Sequence, residues 1–506
     1  MSGFFRRLRD NYRLLTQLRE RSAQYAAAKS PRTAGTWSPV DSPVNEIIGA
    51  SSANVRARVR QLVRDMPFFA RAVNIMTEYT VGEGIGFQSR VKGADGKLDI
   101  RNCTAIEDAF KWWSDEADFS GRLHFNEIIE LDKRQDCECG EFLMIQRQSA
   151  DPARYLPFAL QLIEADWLDS MGARPFLASS TIDQGIEYNP VTGQTIGFHF
   201  ADPDSWGKSS RVRADQVIHG FQTLRPGQLR GISPFAPGVM LANDLAAMMD
   251  ATVDATKLAA KWLALVETPD PAGRQVGVGF KTDSTTGNRI EELENAIIDY
   301  LRPGEKVTLS TNPNPGQTFV PFVKLVLCMF SVTTGAPYEL ISGNYEGLNY
   351  TVSRTVRNDF AHTLRPICAR HIRHACMPPF KIVMDQAVLR GKLALPGYWT
   401  NPRRFWVSEW QPPGMEPIDP LKESKAAADD LANLLRSPQE IVKRRGRDLE
   451  DVYNEIAAAK KMADDLEITP VEVSTALAGN PAAVEDQKAL SVQLIELVDK
   501  LEMLNL

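Results

Sequence analysis

The chain is 506 residues long, with 43% hydrophobic and 24% charged residues, which is the balance of a folded protein with more than one core and not of a disordered, collagen-like or membrane chain. A formal net charge of −6 leaves no basic footprint for tight binding to a nucleic-acid backbone. Six scattered cysteines (103, 137, 139, 328, 368, 376) make no disulfide framework and point to a reducing compartment.

In chain order, residues 4 to 28 read as an amphipathic helix with Phe4, Leu8, Tyr12 and Leu15 on one side. Its threaded charges do not resemble a signal peptide, and a Ser/Pro/Thr-rich loop follows from Ser30 to Pro43. Asn54 to Tyr79 has helical spacing in two pieces divided at Pro67, ending at the glycines of 82 to 86. Two helices are expected within 102 to 136. Short strands are expected at Glu141–Arg147, Leu160–Glu164, Gly185–Tyr188, Thr195–Phe200 and Gln216–Phe221.

From Pro234 the texture changes. Val239 to Thr268 runs about thirty residues without Gly or Pro, a helix of roughly 44 Å whose many small residues suit close packing against like helices. A Pro/Gly/Thr/Asn-rich insertion follows, with a short helix near Glu291–Tyr300 and a strand at Lys306–Ser310. A second helix then runs from Val320 to Thr333. This order lets a small lobe hang from a two-helix stalk. Phe319 to Val332 is the most apolar stretch, too short at these residues for the roughly 20 a bilayer span requires. Arg354–Cys376 is helical, Phe405–Trp410 reads as a strand, and from Asp419 helices are expected at Leu421–Leu435, Ser437–Arg444 and Asp448–Leu466. The part after Pro470 reads as a peripheral helical tail.

No motif offers catalytic chemistry. Gly82-Glu83-Gly84-Ile85-Gly86 ends a helix instead of opening one, so it reads as a cap and turn. Gly273 to Thr282 comes near a phosphate-binding loop, but Phe280 stands where glycine is required, and a hairpin is the expectation. Cys368, His371, His374 and Cys376 carry zinc-ligating atoms, yet nine residues of one helix cannot surround a tetrahedral ion. Cys137-Glu138-Cys139 alternates as on a strand edge and reads as packing. Asp250, Asp254, Lys257 and Lys261 form a charged ladder, usually a solvated stripe, which DNA would pass if the helix lined a pore.

Particular strings go further. Gly185-Ile186-Glu187, Ala214 to Phe221 (ADQVIHGF), Arg225 to Pro234 (RPGQLRGISP), Gly335 to Leu340 (GAPYEL), Asn349 to Arg354 (NYTVSR) and Ile418 to Glu423 (IDPLKE) together resemble the lambda-type phage portal family, over roughly residues 45 to 465. The resemblance implies an α+β portal fold of wing, stem, clip and crown in a homo-oligomeric ring of about twelve subunits. It implies an N-terminal arm (1–44), first part of the wing (45–233), stem helix (234–266), clip (267–319), second stem helix (320–334), tunnel loop and returning wing (335–414), helical crown (415–466) and peripheral tail (467–506). Implied partners are the terminase large subunit, head-completion or adaptor proteins, major capsid and scaffold proteins, and double-stranded DNA passing non-specifically, with no cofactor, metal, membrane or enzymatic activity. The place is the portal vertex of the virion, after assembly in host cytoplasm. Asn344, Tyr345, Asn349, Tyr350 and Arg354, with the ladder of Asp250, Asp254, Lys257 and Lys261, are the candidate channel residues. Competing readings are a membrane-associated channel ring, with residues 1 to 30 on a bilayer, and a nucleotide-dependent enzyme that needs Lys281.

Overall fold

The computed structural model describes residues 41–93, 95–169, 173–201, 209–261, 264–267, 281–282, 289–290, 306–309, 319–415, 419–445, 447 and 449–465. The expected helix at 4 to 28, the helix at 291 to 300, most of the 273 to 282 segment and the tail after 470 lie outside them.

Helix α1 (Val44–Asp65) is followed by α2 (Pro67–Glu78), with Pro67 opening the second, where its missing N–H costs nothing. α1 starts ten residues ahead of the expected Asn54, because Val44 to Ala53 packs Ile48 despite its polar look. Gly82 (φ +53°) and Gly84 (φ +137°) then turn the chain into β1 (Gly86–Ser89), which pairs with β13 (Ser408–Gln411) across more than three hundred residues. The expected strand at Phe405–Trp410 is shifted, since Asn401-Pro402 starts a short helix that carries Phe405.

Helices α3 (Ile100–Ser114) and α4 (Phe125–Cys139) occupy the expected span. Asp99 caps α3, accepting from the N–H of Asn102, and His124 with Glu127 forms a reciprocal capping box on α4. Cys137 and Cys139 therefore lie on the last turn of a helix closed by left-handed Gly140, and not on a strand edge; their alternation spreads them to two different cores.

One antiparallel sheet has the order β3 (Phe158–Ile163), β2 (Glu141–Gln148), β8 (Val217–Phe221). β2 is buried on both faces: Phe142 and Met144 enter the largest core, Leu143 and Ile145 a smaller one. The second sheet, β4 (Thr181–Asp183), β5 (Ile186–Tyr188), β6 (Thr195–Ala201) and β7 (Ser209–Arg213), contains two strands the sequence did not announce. Ser209-Ser210-Arg211-Val212-Arg213 lacks an apolar run, and it is β6 that holds it in place.

Helix α5 (Val239–Lys261) is shorter than the run to Thr268 that its composition suggests. Ala264–Glu267 becomes β9, antiparallel to β12 (Lys306–Leu309), with Val266 opposite Val307. Strand pairing overrides the helix propensity of the alanines there. The two ends of the insertion thus return side by side, and Lys281–Thr282 (β10) pairs with Arg289–Ile290 (β11). Helix α6 (Phe319–Thr334) packs on α5, and Phe330 lies 5.3 Å from Phe69, whose ring is 5.6 Å from Phe235.

A short α7 (Tyr338–Ser342) precedes α8 (Tyr350–His371), a single π-helical turn (Ile372–Cys376) and α9 (Met377–Leu389). Pro378 and Pro379 sit in the first turn of α9, where proline is tolerated. Phe380, Val383, Met384, Tyr398, Phe405 and Trp410 return to the core formed by Ile106, Phe110, Trp113 and Phe125. Three helices finish the described chain: α11 (Pro420–Ala432), α12 (Pro438–Arg444) and α13 (Leu449–Asp465), with α10 (Pro402–Phe405) the short helix before β13.

Candidate functional site

The strings that stand out in the sequence are joints. Glu141 is wholly buried and accepts from Arg230 Nε at 2.9 Å and the Gly231 N–H at 3.1 Å, with His219 Nε2 at 3.0 Å. Burial would raise its pKa, but the Arg230 guanidinium and the hydrogen bonds win and hold it at about 2. A Cβ on Gly231 would fall 2.0 Å from the carbonyl oxygen of Gly140, and one on Gly220 would meet the Phe142 ring at 2.2 Å, so both glycines are required by close approach. Ser233 Oγ donates to the Cys137 carbonyl at 2.6 Å and fixes the entry to α5. Glu187 has the same design, accepting from Arg211 Nε at 2.6 Å, Ser180 Oγ at 2.6 Å and the Phe176 N–H at 2.7 Å. These contacts hold its pKa at about 2 against the effect of burial.

After α6 the chain turns at Gly335 (φ +75°), where Ser331 Oγ donates to the Ala336 carbonyl at 2.6 Å. Left-handed Gly343 ends α7 and opens the loop 343–349. Asn344 Oδ1 accepts from the Glu346 N–H at 2.9 Å, and Asn349 Oδ1 caps α8 by accepting from Val352 N–H at 2.9 Å. Tyr345 is 59% exposed, while Leu348 and Tyr345 border a cavity of about 490 Å³ floored by Tyr79, Leu340, Val356 and Phe360. Tyr350 begins α8 under the ammonium of Lys422, 4.9 Å from its ring centroid, and Arg354 is exposed one turn on. Lys422 stands in the sequence only as part of the string 418 to 423; tertiary packing brings it to Tyr350.

The ladder lies on another helix. Asp250, Asp254 and Lys257 are exposed on α5, with Lys257 Nζ 3.1 Å from Asp254 at the i, i+3 spacing, while the side chain of Lys261 is outside the described residues. No described hydrogen bond or ion pair joins this ladder to the loop. Within the apolar stretch of α6, Phe322, Leu325, Met329 and Val332 follow one face at helical spacing and are 49%, 57%, 52% and 86% exposed; Met249 and Val253 on α5 are exposed as well. A contiguous exposed apolar face of this kind marks an association surface. Its spacing was readable in the sequence, but its exposure was not.

The four zinc-type residues are dispersed into packing. His371 Nε2 is 2.9 Å from the Ile129 carbonyl and must donate to it; burial, foremost, keeps this imidazole neutral, with a pKa of about 4. Cys368 and Cys376 belong to two different cores. Nearby on α4, Lys133 pairs with Asp136 at 2.7 Å, but both carboxylate oxygens of wholly buried Asp132 lack a partner, and desolvation raises its pKa well above the usual range. No helix among the described residues is long and apolar enough to cross a membrane.

The comparisons bear on what these surfaces serve. The family described as phage portal protein, lambda family, matches residues 30–367. The probable portal protein of Halomonas phage phiHAP-1 is 26% identical over 456 residues, covering 86% of this chain and 85% of the relative. Portal protein B of Escherichia phage lambda is 19% identical, covering 83% and 85%. Among solved structures, a chain from the neck of an empty gene transfer agent particle has 15% identity and a TM-score of 0.43, with coverage of 82% of this chain and 96% of that one. The family model's match extends over the two sheets between residues 141 and 221, helices α5 and α6 and the loop before α8, and the chain belongs to the lambda family of phage portal proteins.

Proposed function

We propose that this portal subunit closes with about eleven copies of itself into a ring at one capsid vertex, the channel through which double-stranded DNA is packaged and later ejected. The carrying observation is the family match over residues 30–367, and the exposed apolar face on α5 and α6 supplies a surface of the kind a ring needs. In this reading residues 45–233 and the chain returning through 414 form the wing, 234–266 and 320–334 the stem, 267–319 the clip, and 415–466 the crown. The clip meets the terminase large subunit during packaging and head-completion proteins afterwards, while capsid and scaffold proteins surround the wing. The motor's ATP supplies the energy.

A channel should centre DNA without gripping it, because each phosphate neutralised adds salt-dependent affinity that opposes sliding. Exposed Asp250 and Asp254 on α5, with Lys257 already paired, suit that requirement. Asn344, Tyr345, Asn349, Tyr350 and Arg354 form the closest approach to DNA, since the loop carrying the first three is exposed and anchored at both ends by Gly343 and the Asn349 cap, and the last two lie at the start of α8, which follows it. Removing residues 344 to 347 should leave rings intact and sharply reduce packaging and genome retention. Unchanged packaging and retention in that variant would contradict the assignment.

A further inference from the structure

Among the described residues, helices α11 and α13 have little within their own subunit to hold them. No residue of α11 is buried, and no described side chain of α13 is. The ties of this segment to the rest of the chain include polar ones: Lys422 of α11 over Tyr350, and Lys443 of α12, the short helix between α11 and α13, with Glu409. Helices of thirteen and seventeen residues are marginal in water without an apolar face to bury.

Among the described residues this segment exposes, besides Leu421 and Met462, two unlike apolar patches. The first is a leucine knob where α11 ends: Leu431, Leu434 and Leu435 are 36%, 71% exposed at the outer two and 91% at Leu434, which sits in the left-handed region at φ +55°. A leucine in that conformation, aimed at water, is an unfavourable arrangement on two counts. The second patch is the face of α13 that carries Tyr453 and Ile456, 57% and 45% exposed, with Lys460 on the same face by the 100° periodicity. The knob is flanked by exposed Asp429, so the two patches are complementary in charge as well as apolar.

We propose that the leucine knob of one subunit docks on the Tyr453/Ile456 face of the next copy, with Asp429 opposite the neighbour's Lys460. The proposal rests on the ring reading and deepens it. Because the two patches differ and both stay exposed in one subunit, the contact runs head to tail, the type that generates a closed ring when the rotation closes. The order of these helices is then coupled to assembly, and the exposed leucines are interface residues.

The test uses the full chain with Leu434→Cys and Ile456→Cys together, oxidised after ring purification, with each single substitution as a control for the native thiols. A ladder of covalent multimers from the double variant, absent in both controls and lost on adding Asp429→Lys, is the expected result. Restoration of the ladder when Lys460→Asp is added to Asp429→Lys would locate the charge pair. Rings that give no ladder, or only a cross-link within one subunit, overturn this inference alone; a chain that forms no rings overturns the ring reading and this inference with it.

Discussion

At the scale of single residues, the protein is organised around carboxylates buried for opposite reasons. Glu141 and Glu187 are ionised and satisfied, each with a pKa of about 2, against about 4.3 for a free glutamate. Their stabilisation is therefore complete above the unfolded value and is lost as pH falls through it toward 2. Removing one partner of the buried pair, as in Arg230→Ala, leaves the Glu141 charge stranded and should cost roughly 3–5 kcal/mol in denaturant unfolding. A loss under about 1 kcal/mol would mean that the pair is solvated. Asp132 works the other way. Its folded pKa is raised, so the unfolded chain gives up the proton first and stability declines as pH rises from the unfolded value toward the folded one. Asp132→Asn copies the protonated acid, and should match the wild type near pH 4 yet be more stable near pH 7. Equal unfolding midpoints at both pH values would contradict a protonated Asp132. The burial of Asp132 was not visible in Ile128 to Asp136, which reads as an ordinary mixed helix, because polarity in a sequence does not reveal which polar residues are buried.

At the scale of elements, local signals were legible where they are local. Pro67 opening α2, the glycines after it, the Asp419 cap before Pro420 and the short apolar run of β2 all carry their physics in neighbouring residues. Elements fixed by a partner strand and not by their own pattern were not legible: β9 exists because β12 lies beside it, β7 because the preceding β6 does, and β1 waits for distant β13. The candidate site divides the same way, since Asn349 as a cap is local whereas Lys422 above Tyr350 is not. Phe330 joins α6 to the helices below it through Phe69 and Gly238, and Phe330→Ala should cost about 3–5 kcal/mol, read as a lowered midpoint of thermal or denaturant unfolding. In contrast, Leu325→Asp with Met329→Asp alters only exposed positions, so the lone subunit should keep its circular dichroism and melting point while sedimentation shows assembly abolished. Normal assembly by that variant would remove α6 from the interface.

At the scale of the whole molecule, exposed leucines, an apolar stalk face and unburied terminal helices are liabilities in a monomer and ordinary in an oligomer. Among the described residues three cores lie within one subunit, and α5, α6, α11 and α13, elements the proposed ring would bring together, carry exposed apolar side chains. The most direct test is electron microscopy of the purified full chain together with a mass measurement of the assembly. The account predicts closed rings of about twelve subunits around a hole wide enough for duplex DNA. A monomer or compact dimer at every concentration tried would contradict it.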